Sequence, residues 1–246
     1  AMKIDILSLY PEMFAPFDVS IIKRARDKGI LDIKVTDIRD FTKDKHNRAD
    51  DYPYGGGAGM VMMADPIYSA VEHVIEDCKE KPKILLMGPC GKTFDQNIAK
   101  QLSNERHIVL ICGHYEGLDE RIMPLIDDEI SIGDYVLTGG ELAAMVVVDA
   151  VSRMIPGVLS SNMSYEEESF YDGLLEYPQY TRPEEYRGMK VPEVLLSGHH
   201  ENIRKWRRLE SLKRTYINRP DLIDSKELTD EDRKMLKEIE NMYKKD

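Results

Sequence analysis

Three glycine-rich segments, each placed behind an apolar run, are the part of this chain best suited to bind a ligand. They occupy residues 88–91 (GPCG), 112–121 (CGHYEGLDER) and 131–142 (SIGDYVLTGGEL). Because glycine has no side chain, its backbone N–H and C=O groups can approach a ligand closely, and the ends of neighbouring strands are where such ligands bind. The spacing therefore predicts one binding crevice formed by three loops.

Other residues could take part in chemistry, but each also has an ordinary structural interpretation. GGGAG at residues 55–59 could cradle a phosphate or be only a flexible loop, since it lacks the Lys-Ser/Thr of a P-loop and does not fit GxGxxG. His114 is a candidate general base, although a lone loop histidine is more often structural and no partnered Ser or Cys nucleophile accompanies it. The acidic run at residues 166–168 is ordinarily a solvated segment, and it matters only if a nearby reaction needs a base.

Composition indicates a globular protein. The chain has 246 residues, of which 42% are hydrophobic, enough for one large domain or a medium domain with a smaller one. Its three cysteines show no CxxC spacing, which argues against a disulfide framework or a zinc site and favours a packing role. We expect a cytoplasmic protein with no membrane partner, because we find no export segment and no apolar run near the roughly 20 residues that cross a bilayer.

The charge distribution is acidic overall and basic in one place. A formal net charge of −11 argues against indiscriminate nucleic-acid binding, since the summed field repels a polyanion. Residues 204–219, however, contain seven Lys or Arg residues and a single acid, Glu210. A local patch could therefore still bind a nucleic acid.

Strand and helix patterns alternate over the first 150 or so residues. Short apolar or alternating runs predict strands at residues 3–9, 31–38, 83–87 and 107–112. One helix is predicted with Asp65 as N-cap and an apolar face that reaches Cys78, and a second from near Glu141 to Arg153. This alternation predicts an α/β domain with a mainly parallel sheet.

The pattern changes after residue 159. We predict an α/β domain at residues 1–159, a polar interdomain linker at 160–173 and a small helical C-terminal domain at 174–246. In that last domain, apolar residues recur at helical spacing between Ile203 and Tyr216, and Thr229 followed by Asp232 resembles a capping pair before a final amphipathic helix.

Several ordered motifs together resemble one family. From Met2 nearly to its end, the chain is similar to the bacterial tRNA (guanine-N1)-methyltransferases of the TrmD family, in the SPOUT superfamily. So many motifs in the same order make chance similarity negligible. The matching stretches are residues 9–14, 51–60, 112–121, 131–142, 155–159, 177–183 and 196–207.

The resemblance implies a fold and a cofactor that periodicity could not indicate. Members of the family have a deep trefoil knot near the end of the α/β domain, bind S-adenosylmethionine inside it, and are homodimers whose active sites combine both subunits. Knots are rare enough that a topology argument from sequence alone would reject one. By similarity, the cofactor-binding residues are Leu86, Met87, Gly88, Pro89, Gly113, Glu116, Ile132, Gly133, Asp134, Tyr135, Val136, Leu137, Gly139 and Gly140.

The implied reaction needs a base and a cation. Guanine N1 carries a proton at neutral pH, so methylation there requires a group to remove that proton and another to stabilise charge developing on O6. The family's base is an aspartate in a D-S-F sequence, and the aligned residue here is Glu168, with Glu167 as the alternative. Arg153 is the candidate for O6. A second departure is Cys90, where the family usually has glutamine; we expect it to alter cofactor affinity only modestly.

The resemblance also implies the substrate, which is tRNA with a guanine immediately 3′ of the anticodon, preceded by another guanine. We expect salt-sensitive phosphate contacts from the basic segments. Magnesium dependence is a property of the family as a class, so Mg²⁺ is a candidate cofactor, but the sequence shows no dedicated metal cluster. The predicted RNA-binding residues are Arg48, Gly59, Arg204, Lys205, Arg207, Arg208, Lys213 and Arg214.

Three other functions compete with this one. A related knotted methyltransferase acting on ribose or ribosomal RNA is disfavoured by the matches after residue 155. A catalytically silent RNA-binding protein that senses the cofactor is made worth testing by Glu168 in place of aspartate. A nicotinamide-dependent oxidoreductase fails because the sequence has no GxGxxG with an acidic residue about 20 positions later.

Overall fold

The computed structural model describes residues 1–159 and 168–243. It divides the chain into two compact units, residues 1–162 and 163–246. This division falls within the predicted linker, residues 160–173. Of the linker, residues 160–167 lie outside the described residues, and residues 168–173 belong to the second unit.

A five-stranded sheet forms the centre of the first unit, in the order β2-β1-β6-β5-β7. Every neighbouring pair is parallel, which confirms the predicted mainly parallel sheet. Strand β7 was missed because it has only four residues, two of them acidic. The strands of the unit are β1 (Met2–Ser8), β2 (Leu31–Asp37), β3 (Asp50–Asp51), β4 (Val61–Met62), β5 (Lys83–Thr93), β6 (His107–Cys112) and β7 (Asp128–Ser131); β3 and β4 form a separate antiparallel hairpin.

Helices cover both faces of this sheet. Along β1, Ile4 and Ile6 belong to one buried cluster, whereas Leu7, together with Leu9 just beyond the strand, belongs to a second. Two apolar faces on one strand require covering layers on both sides, as in doubly wound folds. The helices are α1 (Ser20–Asp27), α2 (Ala64–Ile75), α3 (Gln96–Leu102) and α4 (Glu141–Ser152), with 3₁₀ helices at Pro11–Asp18, Ile38–Phe41 and Glu120–Leu125.

The predicted start of α2 is wrong. The helix begins at Ala64 after an extended Met63, and the Asp65 carboxylate lies 3.1 Å from Lys43 Nζ instead of capping the helix. Met63 is fixed by a 2.8 Å hydrogen bond from its N–H to the carbonyl of Ala49, a long-range contact that local sequence does not encode. The helix also ends at Ile75, so Cys78 lies beyond it.

The predicted end of the third strand at residue 87 is also wrong. Strand β5 continues through this segment, and its register with β7 shifts between Met87 and Lys92, both of which pair with Ile130. Such a bulge leaves extra residues unpaired and bends the strand. The segment therefore carries exposed backbone away from the sheet ladder without ending the strand.

The second unit is helical, as predicted. Its core is formed by Leu174, Leu212, Ile223 and Ile239. Its elements are a hairpin of β8 (Glu185–Tyr186) and β9 (Met189–Lys190), followed by α5 (Glu193–Leu196), α6 (His200–Asn218), α7 (Pro220–Asp224) and α8 (Asp230–Tyr243). Along the two described stretches of chain, no helix is long and apolar enough to cross a membrane.

Asp232 joins α8 to α6 and caps its own helix. It exchanges hydrogen bonds with Thr229, each 3.1 Å long, which confirms the predicted capping pair. Its carboxylate also accepts two hydrogen bonds from Arg208, at 2.7 and 2.9 Å, and Arg208 donates a third to Asp172 at 2.7 Å. The bond from Arg208 lowers the pKa of Asp232 to about 2. Arg208 therefore connects α6 to α8 and to the segment that contains Asp172.

We expect Asp232→Asn to lower the free energy of unfolding by about 1–3 kcal/mol, because it removes the more buried of the two carboxylates that pair with Arg208. The pKa of Asp232 is lower folded than the roughly 3.9 of an unfolded aspartate, so its contribution is present above about pH 4 and is lost as pH falls towards 2. Urea unfolding can be followed through Trp206, the one tryptophan of the chain. Asp230→Asn is the control, since that side chain is 93% exposed, and it should cost under about 0.5 kcal/mol.

Candidate functional site

A cavity of about 480 Å³ lies between the bulge of β5 and the carboxyl ends of β6 and β7. This volume is in the range of small-molecule sites, which favour that edge of a parallel sheet. All three glycine-rich segments line it, as the sequence predicted. The predicted cofactor residues on its wall are Leu86, Met87, Gly88, Pro89, Gly113, Glu116, Ile132, Gly133, Tyr135, Val136, Leu137, Gly139 and Gly140; Asp134 is not among the lining residues.

The wall also includes residues outside the predicted cofactor-binding set. His114 and Tyr115 line the cavity, as does the 3₁₀ helix after them through Ile122 and Met123. Cys90 lies on the wall as well, with its backbone N–H donating to Glu129 Oε1 at 3.2 Å. Ile122 and Met123 lie in a short 3₁₀ helix, which gives no periodic signal in the sequence, so only the fold shows that they line the cavity.

Gly140 brings two of the glycine segments into contact. Its N–H donates to the carbonyl of Gly113 at 2.8 Å. A Cβ at this position would lie 3.0 Å from both Cys112 Cα and Met87 Cβ, closer than side-chain carbons normally approach. A side chain at Gly140 would require these neighbours to shift, so glycine favours the close approach of the loop between β7 and α4 to Met87 in β5 and Cys112 in β6.

Glu141, the first residue of α4, is a buried carboxylate directly behind this loop, with 1% of its surface exposed. It accepts a 2.7 Å hydrogen bond from Ser8 Oγ, and its Oε2 lies 3.6 Å from His114 Nδ1. Negative charge is favoured at a helix N-terminus, which helps to offset the cost of burial. Burial, with a further contribution from Glu141, raises the pKa of Cys112 well above its usual value, which suits a packing role.

His114 is held by its neighbours. Its ring centroid is 4.7 Å from that of Tyr10 and 5.0 Å from that of Tyr115, and 17% of the side chain is exposed. A hydrogen bond with Tyr10 raises the pKa of Tyr115. These contacts fix the orientation of the His114 ring on the cavity wall.

The GGGAG segment lies beside the cavity. It connects β3 to β4, and β4 is bound to the loop after β6 through hydrogen bonds from Met62 N–H to the Gly117 carbonyl and from Asp119 N–H to the Met62 carbonyl, both 2.9 Å. The backbone N–H of Glu116, a wall residue, donates to Met60 at 3.1 Å. Gly59 packs against the Glu116 side chain. The segment is therefore positioned to border a bound ligand.

The two catalytic candidates lie in different units. Arg153 follows α4, with its N–H donating to the Asp149 carbonyl at 3.2 Å. Glu168 opens the described part of the second unit, where its carbonyl accepts from Tyr171 N–H at 3.3 Å. The alternative base, Glu167, lies outside the described residues.

Acidic neighbours accompany most of the predicted RNA-binding cations. Arg204 lies 2.9 Å from Glu201, Lys205 3.7 Å from the same carboxylate, and Lys213 4.0 Å from Glu210. The remaining contacts are those of Arg48 with Asp44 at 3.0 Å, Arg207 over the Tyr177 ring at 4.8 Å, Arg214 with the Glu176 carbonyl at 3.2 Å, and Arg208 with Asp232 and Asp172.

Comparison with known proteins identifies the family. The model of the family described as tRNA (Guanine-1)-methyltransferase TrmD matches residues 2–225. The chain belongs to this family. A tRNA (guanine-N(1)-)-methyltransferase of Clostridium beijerinckii is 60% identical over 242 residues, covering 98% of this chain and 100% of that protein. The corresponding protein of Dictyoglomus turgidum is 57% identical over 239 residues, covering 97% of this chain and 96% of its own.

Within residues 1–159 and 168–243, no three His, Cys, Asp or Glu side chains are grouped so that they could hold a metal ion.

The buried pair of Ser8 and Glu141 can be tested by a double-mutant cycle. We expect Glu141→Ala to lower the free energy of unfolding by about 1–3 kcal/mol, because it removes an acceptor from a hydroxyl that is fully buried. The double variant with Ser8→Ala should show a coupling of about 1 kcal/mol in denaturant unfolding. Asp149→Asn, exposed on the same helix, is the control and should have little effect. Additive single effects would mean that the pair makes no stabilising contact.

Proposed function

We propose that this chain transfers a methyl group from S-adenosylmethionine to N1 of a guanine in tRNA. The observation that carries the proposal is its family membership over residues 2–225, joined to a cavity at the segments that define the resemblance. The relatives at 57–60% identity are named for that activity. The proposed target is the guanine immediately 3′ of the anticodon, preceded by another guanine.

The cavity suits the proposed methyl donor. Its wall combines apolar side chains such as Leu86 and Ile132 with backbone groups of the glycine segments, which can hydrogen-bond to an adenine and a ribose. When bound, S-adenosylmethionine would supply an electrophilic methyl group. We further propose that the chain between β5 and α4 forms the family's trefoil knot; the close approach of Gly140 to Met87 and Cys112 supports this.

The proposed base is Glu168. A carboxylate can accept the N1 proton while the guanidinium of Arg153 stabilises the charge that develops on O6. Glutamate is one methylene longer than the family's aspartate, and a misplacement of about 1 Å can cost about 10²-fold in rate. The segment after Glu168 has local order that could position it, with Phe170 N–H donating to the Leu174 carbonyl at 2.7 Å and Glu176 N–H to Ser169 Oγ at 2.9 Å.

Most of the cations proposed to contact tRNA already have acidic neighbours. Exposed ion pairs such as Arg204 with Glu201 contribute only about 0–1 kcal/mol, so a phosphate can replace the carboxylate. The bidentate pair of Arg208 with the nearly buried Asp232 is much harder to break. We therefore propose that Arg204, Lys205 and Lys213 are the more effective phosphate ligands of α6. The target base must leave its stack to reach the cavity.

We also propose a homodimer. On α4, Leu142 and Val146 are 47% and 45% exposed, and they lie four residues apart on one face. Val136, in the cavity loop, is 85% exposed. A second copy would bury these apolar side chains next to the cavity, as expected where active sites are shared between subunits.

Methyl transfer to defined transcripts tests the function. We expect labelled methyl to pass from S-adenosylmethionine to an unmodified tRNA transcript with guanine 3′ of the anticodon, and not to one with adenine there. Transfer to both would show a different target base. Cofactor binding without transfer to either would support the rival function, a silent RNA-binding protein that senses the cofactor.

Substitution of Glu168 tests the base. We expect Glu168→Gln to abolish turnover, because the amide cannot accept the N1 proton, while the dissociation constant for S-adenosylmethionine stays within about twofold. Glu168→Asp should preserve or raise kcat. Glu167→Gln is the matched control, and single-turnover methylation is the measurement. Full activity of Glu168→Gln would exclude Glu168 as the base, and loss of activity only in Glu167→Gln would transfer the role to that residue.

A further inference from the structure

A cysteine, a histidine and an aspartate are aligned near the amino ends of the central strands. His107 is the first residue of β6, and its Nδ1 lies 3.5 Å from Cys78 Sγ while its Nε2 lies 2.7 Å from Asp5 Oδ2. The cavity begins at the other end of β6, five strand steps of about 3.3 Å away. This cluster is separate from the proposed methyl-transfer site.

Asp5 orients the imidazole ring of His107. Asp5 is 1% exposed, and Lys3 Nζ lies 3.2 Å from the same oxygen that faces His107. An ionised carboxylate only accepts hydrogen bonds, so Nε2–H is the donor in this pair. The ring tautomer with its proton on Nε2 presents the Nδ1 lone pair to the thiol. His107 is thus oriented as a proton acceptor for Cys78.

A nucleophile, a base and an orienting carboxylate, here Cys78, His107 and Asp5, form in this spatial order the arrangement that activates thiols. Cys78 is partly exposed just beyond α2, and its thiol can also donate to the Val74 carbonyl at 3.5 Å. Cys112, by contrast, is fully buried with a raised pKa. Cys90 is more exposed than Cys78, and the neighbouring carboxylate of Glu129 accepts its backbone N–H. Access alone favours reaction at Cys90, whereas a positioned base favours Cys78.

We propose that Cys78, His107 and Asp5 form a second reactive site, at which Cys78 takes up a low-molecular-weight disulfide. His107 Nδ1 accepts the thiol proton and Cys78 Sγ attacks one sulfur of the disulfide. The new S–S bond forms as the old one breaks, and the departing thiolate receives the proton. Cys78 is oxidised to a mixed disulfide and half of the reagent is reduced to a thiol.

Thiol reactivity of the full chain tests the site. The probes are oxidised glutathione, followed by intact mass and peptide mapping, and 5,5′-dithiobis(2-nitrobenzoate), followed by absorbance. Cys78→Ser and Cys90→Ser assign each kinetic phase. We expect Cys78 to react at least tenfold faster than Cys90 with both probes, although it is less exposed. A faster reaction at Cys90 would overturn the proposal.

A variant of the base provides the second test. His107→Gln retains a side-chain donor for Asp5 but removes the proton acceptor, and it should slow Cys78 at least tenfold while leaving the Cys90 rate unchanged. His73→Gln, on the helix that leads to Cys78, is the matched control and should alter neither rate. If His107→Gln folds normally and Cys78 reacts at the wild-type rate, the histidine only neutralises Asp5 and the proposal fails. If it does not fold, the comparison of Cys78 with Cys90 decides.

Discussion

Gly140 lies so close to the central strands that a side chain at this position would force Cys112 or Met87 to move. A Cβ there would lie 3.0 Å from Cys112 Cα, and the Gly140 N–H is bonded to the Gly113 carbonyl. This contact places the loop after β7 across the ends of β5 and β6, and so forms the cavity. It also fixes where α4 starts, which buries Glu141 beneath the loop with Ser8 as hydrogen-bond donor.

The parallel sheet separates two kinds of chemistry along a single strand. Backbone groups dominate the carboxyl end of β6, where glycine segments converge, and this suits recognition of a cofactor. Near the amino end, His107 stands between a buried carboxylate and a thiol. Because all five strands run in the same direction, the glycine segments and the thiol lie at opposite ends of the sheet.

Charge is used differently on the surface and in the interior of the second unit. The pair of Arg204 with Glu201 is exposed, so it can be exchanged for a phosphate at little cost. Arg208 instead contacts the nearly buried Asp232 through two hydrogen bonds, and losing either partner would leave a charge poorly solvated. An acidic protein can thus bind a polyanion locally without binding every polyanion.

The sequence by itself determined four of the five strands of the central sheet, the glycine segments that line the cavity, the capping pair of Thr229 with Asp232 and the family. These features depend on local periodicity, local capping or motif order, which the chain carries in short stretches. The tertiary structure alone decided that β5 continues through a bulge, that Asp65 pairs with Lys43 and that His107 faces Cys78. Each of these depends on residues more than 20 positions apart, whose distance is set by strand pairing and packing rather than by neighbours in the chain.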